Sequence, residues 1–368
     1  MIHIFLGTKA QLIKMAPVMV ELQNRNIPYN FIFSGQHQAT VNNIREEFGI
    51  KEPDITLYKG RDITGIVQML FWSIRIVFFT LWNRDKVWQG DKGGVVLNHG
   101  DTFSTLLGAL LARLSGQKSA HVESGLRSFR LFHPFPEEIT RLLTFRLSNI
   151  YFAPGDWALA NLEQYSGDKV NTAHNTLLDA LRISQRAVNA AEIEIPDGDY
   201  GVVSLHRFEN IFSEKKLREI LALLAEVSKR GKLLFILHKP TENKLKEYGL
   251  LANLETIDNI ELRPRYSYFQ FIKLVKQALF VITDGGSNQE ECFYLGKPCI
   301  IMRAASERQE GIGANSVICN YDREIINDTL DRLPDFTTGQ MIFDHHSPSA
   351  VIVSALAQYH GREAGTPA

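Results

Sequence analysis

Six polar or charged residues follow directly after predicted strands in the first half of the chain. They are Thr8, Gln36, His37, His99, Asp101 and Glu123. The carboxyl ends of parallel strands meet at one edge of a sheet, and ligands of open α/β sheets bind at that edge. Any one such residue more often caps a helix or closes a turn. Their repetition favours a shared site whose carboxylates and imidazoles could transfer protons.

A second candidate site lies between Val281 and Arg303. Residues 279–282 predict a buried strand, and a helix is expected to begin near Asn288 and to end at Gly296. Between them, Gly285-Gly286-Ser287 is expected to form a tight turn that brings backbone N–H groups close to a ligand. A helix that starts in this way favours a bound anion such as a phosphate.

Two carboxylates, Glu290 and Glu291, fall one turn inside this second helix, where they could accept hydrogen bonds from ribose hydroxyls. A strand, a glycine pair and a helix in succession are also frequent in junctions with a purely structural role. The stretch alone therefore leaves ligand binding open.

The elements that must position these residues alternate between short apolar strands and amphipathic helices. Strands are predicted at 3–6, 29–34, 94–97, 119–122, 149–153, 200–204, 233–237, near 260, at 279–282 and at 299–302. Repeated β–loop–α units predict an α/β fold of doubly wound parallel sheets. A length of 368 residues favours two such domains that face each other across a cleft.

Composition excludes several other classes of protein. Hydrophobic residues make up 45% of the chain and charged residues 22%, as in an ordinary globular protein. A net charge of −1 gives no electrostatic reason to expect a nucleic acid as partner. Three cysteines without a CxxC pair predict buried thiols, with neither a disulfide nor a metal site. The N-terminus enters a strand without the features of a signal peptide, so a cytoplasmic location is expected.

Residues 66–82 form an almost entirely apolar and aromatic segment, interrupted by Gln68 and Arg75. Seventeen residues are few for a helix that spans a bilayer. A buried or subunit-contacting helix is the simplest interpretation, and peripheral contact with a membrane surface is the alternative.

Several motifs, taken together and in order, resemble those of the UDP-N-acetylglucosamine 2-epimerase family. They are Gly7-Thr-Lys-Ala-Gln-Leu-Ile-Lys-Met-Ala-Pro17, Gly35-Gln-His37, His99-Gly-Asp-Thr102, His121-Val-Glu-Ser-Gly-Leu-Arg127, Pro134-Phe-Pro-Glu-Glu-Ile-Thr-Arg141, His206-Arg-Phe-Glu-Asn210, residues 284–298 and Ser306-Glu-Arg-Gln-Glu310. The resemblance spans about residues 1–325. It implies the GT-B fold, with a first Rossmann-like domain at 1–172 onto which a last helix at 347–362 packs, and a nucleotide-binding domain at 173–346. It also implies homodimers, as in the bacterial members.

The chemistry implied by the resemblance is inversion of C2 of a UDP-sugar without NAD or another cofactor. The family removes the C2 proton, expels UDP from C1 to give a 2-acetamidoglucal, and adds UDP back after a proton arrives on the other face. Such a reaction needs a positioned base, a second acid or base across the ring, and cations or N–H groups for the departing pyrophosphate.

Matched motif by motif, the resemblance gives catalytic roles to Asp101, Glu123, Glu137 and His206. Residues expected to contact the substrate or UDP are Lys9, Lys14, His37, Arg141, Arg207, His238, Gly285, Gly286, Ser287, Glu291 and Arg308. The structural alternative for Glu137 is a carboxylate that stabilises a helix N-terminus after Pro136 at N1. For His206 it is a histidine packed at the end of a strand.

The chain departs from the family pattern at several positions. Lys9 stands where arginine is usual, which keeps the charge but loses bidentate recognition, and Ala10-Gln11 replaces Pro-Glu. Gly285-Gly286-Ser287 replaces Ser-Gly-Gly, and Gln309 replaces a proline. These departures leave the exact nucleotide sugar open.

Four functions remain after this reading. The first is a non-hydrolysing epimerase that forms UDP-N-acetylmannosamine, or a close 2-acetamido analogue, for surface polysaccharide. The second is a hydrolysing relative that releases N-acetylmannosamine and UDP. The third is a GT-B glycosyltransferase, which has no need of three carboxylates around the sugar, and the fourth is a nucleotide-sugar-binding protein without catalysis.

Overall fold

The structure, a computed structural model, describes residues 1–36, 41–60, 62–63, 65–131, 136–186 and 193–364. The chain divides into two compact units. Unit 1 comprises Met1–Ile183 and His345–Ala368, and unit 2 comprises Ser184–Asp344. The sequence predicts that the second domain spans residues 173–346, whereas unit 2 spans residues 184–344.

Unit 1 is built from alternating strands and helices. In chain order these are β1 (Ile2–Leu6), α1 (Lys9–Asn24), β2 (Tyr29–Phe33), α2 (Val41–Phe48), β3 (Ile55–Thr56), α3 (Ile66–Trp82), α4 (Arg84–Val87), β4 (Val95–His99), α5 (Phe103–Leu114), β5 (Lys118–Val122), α6 (Glu137–Leu147), β6 (Ile150–Ala153), α7 (Asp156–Ala160), β7 (Asp168–Asn171) and α8 (Leu177–Arg186). The strands form one parallel sheet in the order β3-β2-β1-β4-β5-β6-β7. All their carboxyl ends therefore lie at the same edge.

Unit 2 repeats this architecture with fewer strands. Its elements are β8 (Tyr200–Ser204), α9 (Phe208–Ile211), α10 (Glu214–Val227), a 3-10 turn (Ser228–Arg230), β9 (Lys232–Ile236), α11 (Lys239–Glu247), α12 (Leu251–Glu255), β10 (Ile260–Arg263), α13 (Tyr268–Gln277), β11 (Phe280–Thr283), α14 (Gly286–Leu295), β12 (Cys299–Ile301), β13 (Ser316–Ile318), α15 (Arg323–Asp331) and 3-10 turns at Leu333–Phe336 and Met341–Phe343. Its sheet is also parallel, in the order β10-β9-β8-β11-β12-β13. Two doubly wound parallel sheets confirm the predicted fold class.

The last helix, α16 (Pro348–Ala364), belongs to unit 1 and packs against α1. Arg25 at the end of α1 donates from Nη1 to Oγ of Ser354 at 2.8 Å. The apolar face of α16 contributes Ile352, Val353 and Leu356 to the interior.

Both sheets are covered by apolar side chains that come from strands and helices together. In unit 1, Phe5 and Val96 of the central strands pack with Trp72 and Ile76 of α3. In unit 2, Val203 and Ile282 of neighbouring strands pack with residues of α10. The three cysteines are all buried in unit 2, and none forms a disulfide. Rigid cores of this kind fix the strand ends from which the polar residues project.

Helix α3 has the bounds predicted for the apolar segment, but only one of its faces is buried. Trp72, Ile76 and Thr80 point into unit 1. The opposite face exposes a stripe of large apolar side chains, and the exposed fraction of Trp82 reaches 80%. We call it the α3 stripe, and its members are Val67, Leu70, Phe71, Ile74, Phe78 and Trp82. Among the helices described, none has the length and apolarity needed to cross a membrane.

Two local predictions around the candidate sites need correction. Helix α14 begins at Gly286, two residues before the predicted start. Gly285 is its N-cap with φ −86°, a conformation open to any residue, so this glycine is not required by turn geometry. Pro136 is the N-cap of α6 and Glu137 its first residue, so the proline does not occupy N1.

Candidate functional site

The carboxyl edge of the unit 1 sheet carries a buried ion pair between Lys14 and Glu123. Glu123 follows β5 with φ 62°, a left-handed conformation that is uncommon for any residue other than glycine. Its Oε1 lies 2.5 Å from Nζ of Lys14, and both side chains are less than a tenth exposed. The Nδ2 of Asn175 donates to the same Oε1. A carboxylate held by two donors in a protected site has a fixed position and a stabilised ionised form.

Lys14 reaches Glu123 because helix α1 starts directly at this edge. Thr8 is the N-cap of α1, and its side chain exchanges hydrogen bonds with Gln11 in a capping box. The Oε1 of Gln11 accepts from the backbone N–H groups of Gly7 and Thr8, and its Nε2 donates to the carbonyl of His99 at 2.9 Å. Gln11 therefore ties the end of β1 to the end of β4. The glutamate usual in the family could not donate this last bond while ionised.

Two histidines surround Glu123 and are neutral at physiological pH. Burial lowers the pKa of His99 to about 3 and that of His121 to about 4, and the negative charge of Glu123 opposes this effect at both. His121 donates from Nε2 to the carbonyl of Gly100 at 2.7 Å, because a carbonyl can only accept. Its Nδ1 then accepts from the hydroxyl of Ser124 at 2.9 Å. Nε2 of His99 lies 3.7 Å from Oε2 of Glu123.

A second ion-pair group links Asp101 to helix α6. Nη2 of Arg141 lies 2.5 Å from Oδ2 of Asp101, whose side chain is 30% exposed. Arg141 also donates from Nη1 to Glu138 at 3.1 Å, and Glu138 pairs with Nε of Arg127 at 2.6 Å. The N–H of Ser128 and these guanidinium groups hold the pKa of the Glu138 carboxyl below its usual range, against the effect of its burial. Asp101 is thus the more accessible carboxylate of this group.

Two other predicted residues of unit 1 have different positions. Glu137 lies in the first turn of α6 and is partly exposed, and Lys9 is the partly exposed first residue of α1. His37 lies outside the described residues. The structure thus brings together Lys14, Asp101, Glu123 and Arg141 near the carboxyl edge of the unit 1 sheet.

In unit 2 the corresponding edge is organised by Asp284, at the end of β11. This fully buried carboxylate accepts from the backbone N–H groups of His206 and Arg207 at 3.0 to 3.1 Å. It also accepts from Nδ2 of Asn210 at 2.9 Å. These charge-assisted bonds attach the loop after β8 to the end of β11. They fix the place from which the His206 side chain projects.

His206 and His238 lie side by side at this edge. Their rings stack with centroids 4.5 Å apart, and Nε2 of His238 lies 3.1 Å from Oγ of Ser204. Burial of the His206 ring lowers its pKa, Asp284 at 3.4 Å from Nδ1 opposes this, and the charges of Arg207 and Arg265 lower it further. The ring is 38% exposed, so solvent moderates the shift. A neutral His206 can donate one N–H to an anionic ligand.

Helix α14 begins beside His206, where the neighbouring side chains leave little space for a Cβ on either of its two glycines. A Cβ on Gly285 would lie 2.9 Å from Cε1 of His206, and one on Gly286 would lie 3.0 Å from Nε of Arg308. Gly285 supplies no side-chain cap to the first N–H groups of the helix. Uncapped N–H groups at a helix N-terminus are suited to a phosphate, and Ser287 lies in this first turn.

The acidic residues of α14 differ in their surroundings. Glu290 is fully buried, lies 3.0 Å from Nη1 of Arg308 and accepts from the hydroxyl of Tyr294. Glu291 accepts from Nδ2 of Asn288 at 2.8 Å, next to the start of the helix. Of the two, Glu291 is therefore the better candidate for a ribose contact.

Arginines close to α14 are held by Glu307. Nη2 of Arg207 lies 2.9 Å from one of its oxygens, and Nη2 of Arg303 lies 2.8 Å from the other. These two charges hold the pKa of the Glu307 carboxyl far below its usual range, although burial acts in the other direction. The unit 2 edge thus combines fixed positive charge, a histidine pair and a helix N-terminus, a set suited to a diphosphate.

Residues of these sites that were missed by the sequence reasoning include Glu138, Asn175, Asp284 and Arg265. Glu138 and Asp284 lie inside quoted motifs, yet nothing in their residue type distinguished a buried organising carboxylate from an exposed one. Asn175 and Arg265 lie outside those motifs. Among the described residues, no three His, Cys, Asp or Glu side chains converge as metal ligands would.

Comparison with known proteins shows the family to which this chain belongs. A family model described as UDP-N-acetylglucosamine 2-epimerase matches residues 20–355. The UDP-N-acetylglucosamine 2-epimerase of Methanocaldococcus jannaschii is 33% identical over 340 residues, which cover 88% of this chain and 90% of that relative. The UDP-2,3-diacetamido-2,3-dideoxy-D-glucuronate 2-epimerase of Pseudomonas aeruginosa is 32% identical over 324 residues, which cover 85% of this chain and 86% of the relative.

A solved structure agrees with this similarity over almost the whole chain. It is the crystal structure of the M. jannaschii UDP-GlcNAc 2-epimerase in complex with UDP-GlcNAc and UDP. The two chains are 28% identical, the similarity covers 97% of this chain and 99% of that one, and the TM-score is 0.82. The two parallel α/β units are those of the GT-B-like fold. This chain belongs to the UDP-N-acetylglucosamine 2-epimerase family and, with it, to the isomerase class of enzymes.

Proposed function

We propose that this enzyme inverts C2 of UDP-N-acetylglucosamine, or of a close UDP-2-acetamido sugar, and returns the product as a nucleotide sugar. The observation that carries the proposal is the buried Glu123 carboxylate, held by Lys14 and Asn175. A C2 proton is weakly acidic, so its removal needs an ionised base whose position is fixed before the substrate arrives. Unit 1 acts on the sugar in this proposal, and unit 2 holds the UDP.

The second face of the sugar needs its own proton donor. Asp101 is the partly exposed carboxylate beside Arg141, and Glu137 begins the neighbouring helix α6. A base and an acid on different elements allow the proton to leave one face and arrive on the other. In the proposal, Glu123 and one of these two carboxylates share those tasks.

Departure of UDP from C1 is assigned to unit 2. The N–H groups at the start of α14 and the ring of His206 are donors for the developing negative charge, and Glu291 receives the ribose. The enol-like sugar intermediate keeps its N-acetyl group, and UDP then adds back at C1. We further propose a cytoplasmic location and a role in supplying surface polysaccharide.

The decisive experiment is proton NMR of UDP-N-acetylglucosamine incubated with the enzyme in D2O. We expect deuterium at C2 together with signals of UDP-N-acetylmannosamine. Free N-acetylmannosamine with UDP would instead identify a hydrolysing epimerase. The relative from P. aeruginosa is nearly as similar as that from M. jannaschii, so its diacetamido glucuronate substrate belongs in a parallel reaction. Absence of exchange at C2 in both sugars would overturn the proposal.

A second copy of the chain is proposed to cover the α3 stripe. The stripe runs along a 17-residue helix, and exposed Leu110 and Leu114 of the adjacent α5 extend it. The exposed guanidinium of Arg75 lies 5.8 Å from the ring of Tyr58 in the same unit, which keeps this charge next to its own chain. Apolar surface of this extent is usually buried against a partner.

Light scattering during size-exclusion chromatography tests this contact. We expect a dimer that Phe71→Glu converts to a monomer, whereas Phe343→Glu, which alters a side chain of unit 2 that is 74% exposed and outside the stripe, has no effect. A wild-type monomer that binds anionic lipid vesicles through α3 would overturn the dimer in favour of peripheral membrane contact.

A further inference from the structure

The chain passes between its two units through a segment that also contacts the proposed base. It leaves unit 1 after Ile183 and returns to it at His345. Between β7 and α8, just before it leaves, lies Asn175, whose side chain is 3% exposed. Its Nδ2 donates to Oε1 of Glu123, the oxygen that Lys14 also contacts. One side chain of the outgoing segment is thus in direct contact with the carboxylate.

The outgoing and returning segments are bonded to each other within unit 1. We call this group the crossing clamp, and its members are Thr172, Asp179, Arg182, His346, Ser347 and Ser349. Oδ2 of Asp179 accepts from the hydroxyl of Ser347 and from the N–H of Ser349, both at 2.9 Å. Nε2 of His346 donates to the carbonyl of Thr172 at 2.8 Å, and Arg182 bridges Asp179 to the carbonyl of His346.

The crossing clamp restrains the backbone on both sides of Asn175. Thr172 is itself bonded through its N–H and its hydroxyl to the carbonyl of Ala153, at the end of β6. The amide oxygen of Asn175 accepts from the hydroxyl of Thr176, which orients the amide so that its nitrogen faces Glu123. The amide group therefore has little freedom to turn away from the carboxylate.

We propose that Asn175 is a positioning residue for Glu123, held in place by the crossing clamp. Its N–H and the Lys14 ammonium together fix Oε1 and stabilise the ionised carboxylate, as hydrogen bonds to a charged form do. Any movement of the outgoing segment at Asn175 would reach Glu123 through the hydrogen bond that joins the two side chains. This inference rests on the proposed role of Glu123 as base, and its test separates the two.

The test replaces Asn175 by aspartate, which has the same shape but offers no N–H and adds a like charge. We expect Asn175→Asp to lower kcat roughly 100-fold, because misplacement of a base by about 1 Å has effects of that size. The acidic limb of the pH profile should move upward by about one unit, since a like charge favours the protonated form of Glu123. The matched control is Asn43→Asp, at an exposed position on helix α2 of the same unit, which should leave both quantities unchanged.

A measurement made without substrate gives a result that does not depend on which sugar the enzyme accepts. Carbon-13 NMR of protein labelled at the glutamate carboxyl groups follows the titration of Glu123, assigned by the signal lost in Glu123→Gln. We expect the midpoint of that titration to rise in Asn175→Asp and to stay in place in Asn43→Asp. An unchanged midpoint overturns the positioning role, whatever the activity. A raised midpoint in a protein without epimerase activity would support the inference and count against the proposed function alone.

Discussion

At the scale of single residues, the arrangement around Glu123 separates the proposed base from the carboxylates that hold the fold. Glu123, Glu138 and Asp284 are all buried, but their partners differ. Glu138 contacts two arginines and a backbone N–H, and Asp284 contacts backbone N–H groups of the β8 loop. Each of these two is committed to a structural contact. Glu123 also follows a strand, but its partners are the side chains of Lys14 and Asn175, and its backbone has a left-handed conformation that is held against its intrinsic cost.

The first prediction concerns Glu123 itself. Glu123→Gln should lower turnover by roughly 10²- to 10⁴-fold, the usual contribution of a general base. The amide oxygen can still accept from Lys14 and Asn175, so the fold should be unchanged. The affinity for UDP should stay within a few fold of the wild-type value. Steady-state kinetics and calorimetric titration with UDP measure these quantities.

The control for this substitution is Glu46→Gln, which changes a carboxylate that is 72% exposed on α2. It should leave kcat as it is. A Glu123→Gln enzyme with a near-normal rate would remove Glu123 from the proton-transfer steps and leave Asp101 and Glu137 as the carboxylates to examine.

At the scale of elements, each site depends on loops that are fastened to a neighbouring strand. Gln11 joins the ends of β1 and β4 in unit 1, and Asp284 joins the ends of β8 and β11 in unit 2. Such cross-links let loop residues occupy precise positions on a rigid sheet. They also leave little space, which is why glycine is found where α14 approaches the β8 loop.

The second prediction tests that spacing. Gly285→Ala is compatible with the backbone, but its Cβ would lie 2.9 Å from Cε1 of His206 and 3.0 Å from Oδ1 of Asn288. We expect the His206 ring to be displaced and kcat to fall about 10- to 100-fold, as small misplacements of an active-site group do. The same substitution at Gly339, where no atom lies within 4 Å of the new Cβ, should be silent. Equal rates for the two variants would show that the position of His206 does not limit turnover.

The elements themselves were predictable where the apolar pattern was strong. Strand β8 and helix α3 have the predicted bounds, because each combines continuous or periodic apolar residues with clear ends. Strands β3, β7 and β13 were missed because they have two to four residues, and β7 is mostly exposed and polar. Short strands at or near the edge of a sheet are formed by pairing with a neighbour, which a single-chain pattern does not contain.

The site was predictable only to the level of motifs. Motif matching selected Glu137 and did not single out its neighbour Glu138, which the structure places in the buried ion-pair group. Neighbours on a helix point about 100° apart, so a match to the motif does not show which carboxylate is buried. Asn175 lies more than 50 positions from Glu123 in the sequence, and only the order of strands β5, β6 and β7 brings the two together. Such contacts depend on the tertiary structure, and no pattern among neighbouring residues of the sequence indicates them.

At the scale of the whole molecule, the proton balance of unit 1 should control its stability. The pKa of His99 is about 3 and that of His121 about 4, against about 6.5 in an unfolded chain. Between these values the unfolded chain binds protons that the folded unit does not. The free energy of unfolding must therefore rise with pH in this window and fall as pH decreases below about 6.5.

The third prediction gives this effect a size and a measurement. Relative to pH 8, the two histidines together should reduce the free energy of unfolding of unit 1 by roughly 4 kcal/mol at pH 5. All four tryptophans, Trp72, Trp82, Trp88 and Trp157, lie in unit 1, so tryptophan fluorescence during urea unfolding reports on this unit selectively. His121→Gln removes one of the two groups and should approximately halve the dependence on pH between 5 and 6.5. His345→Gln, at an exposed position, should leave it unchanged, and a slope that is the same in all three proteins would place the proton uptake elsewhere in the chain.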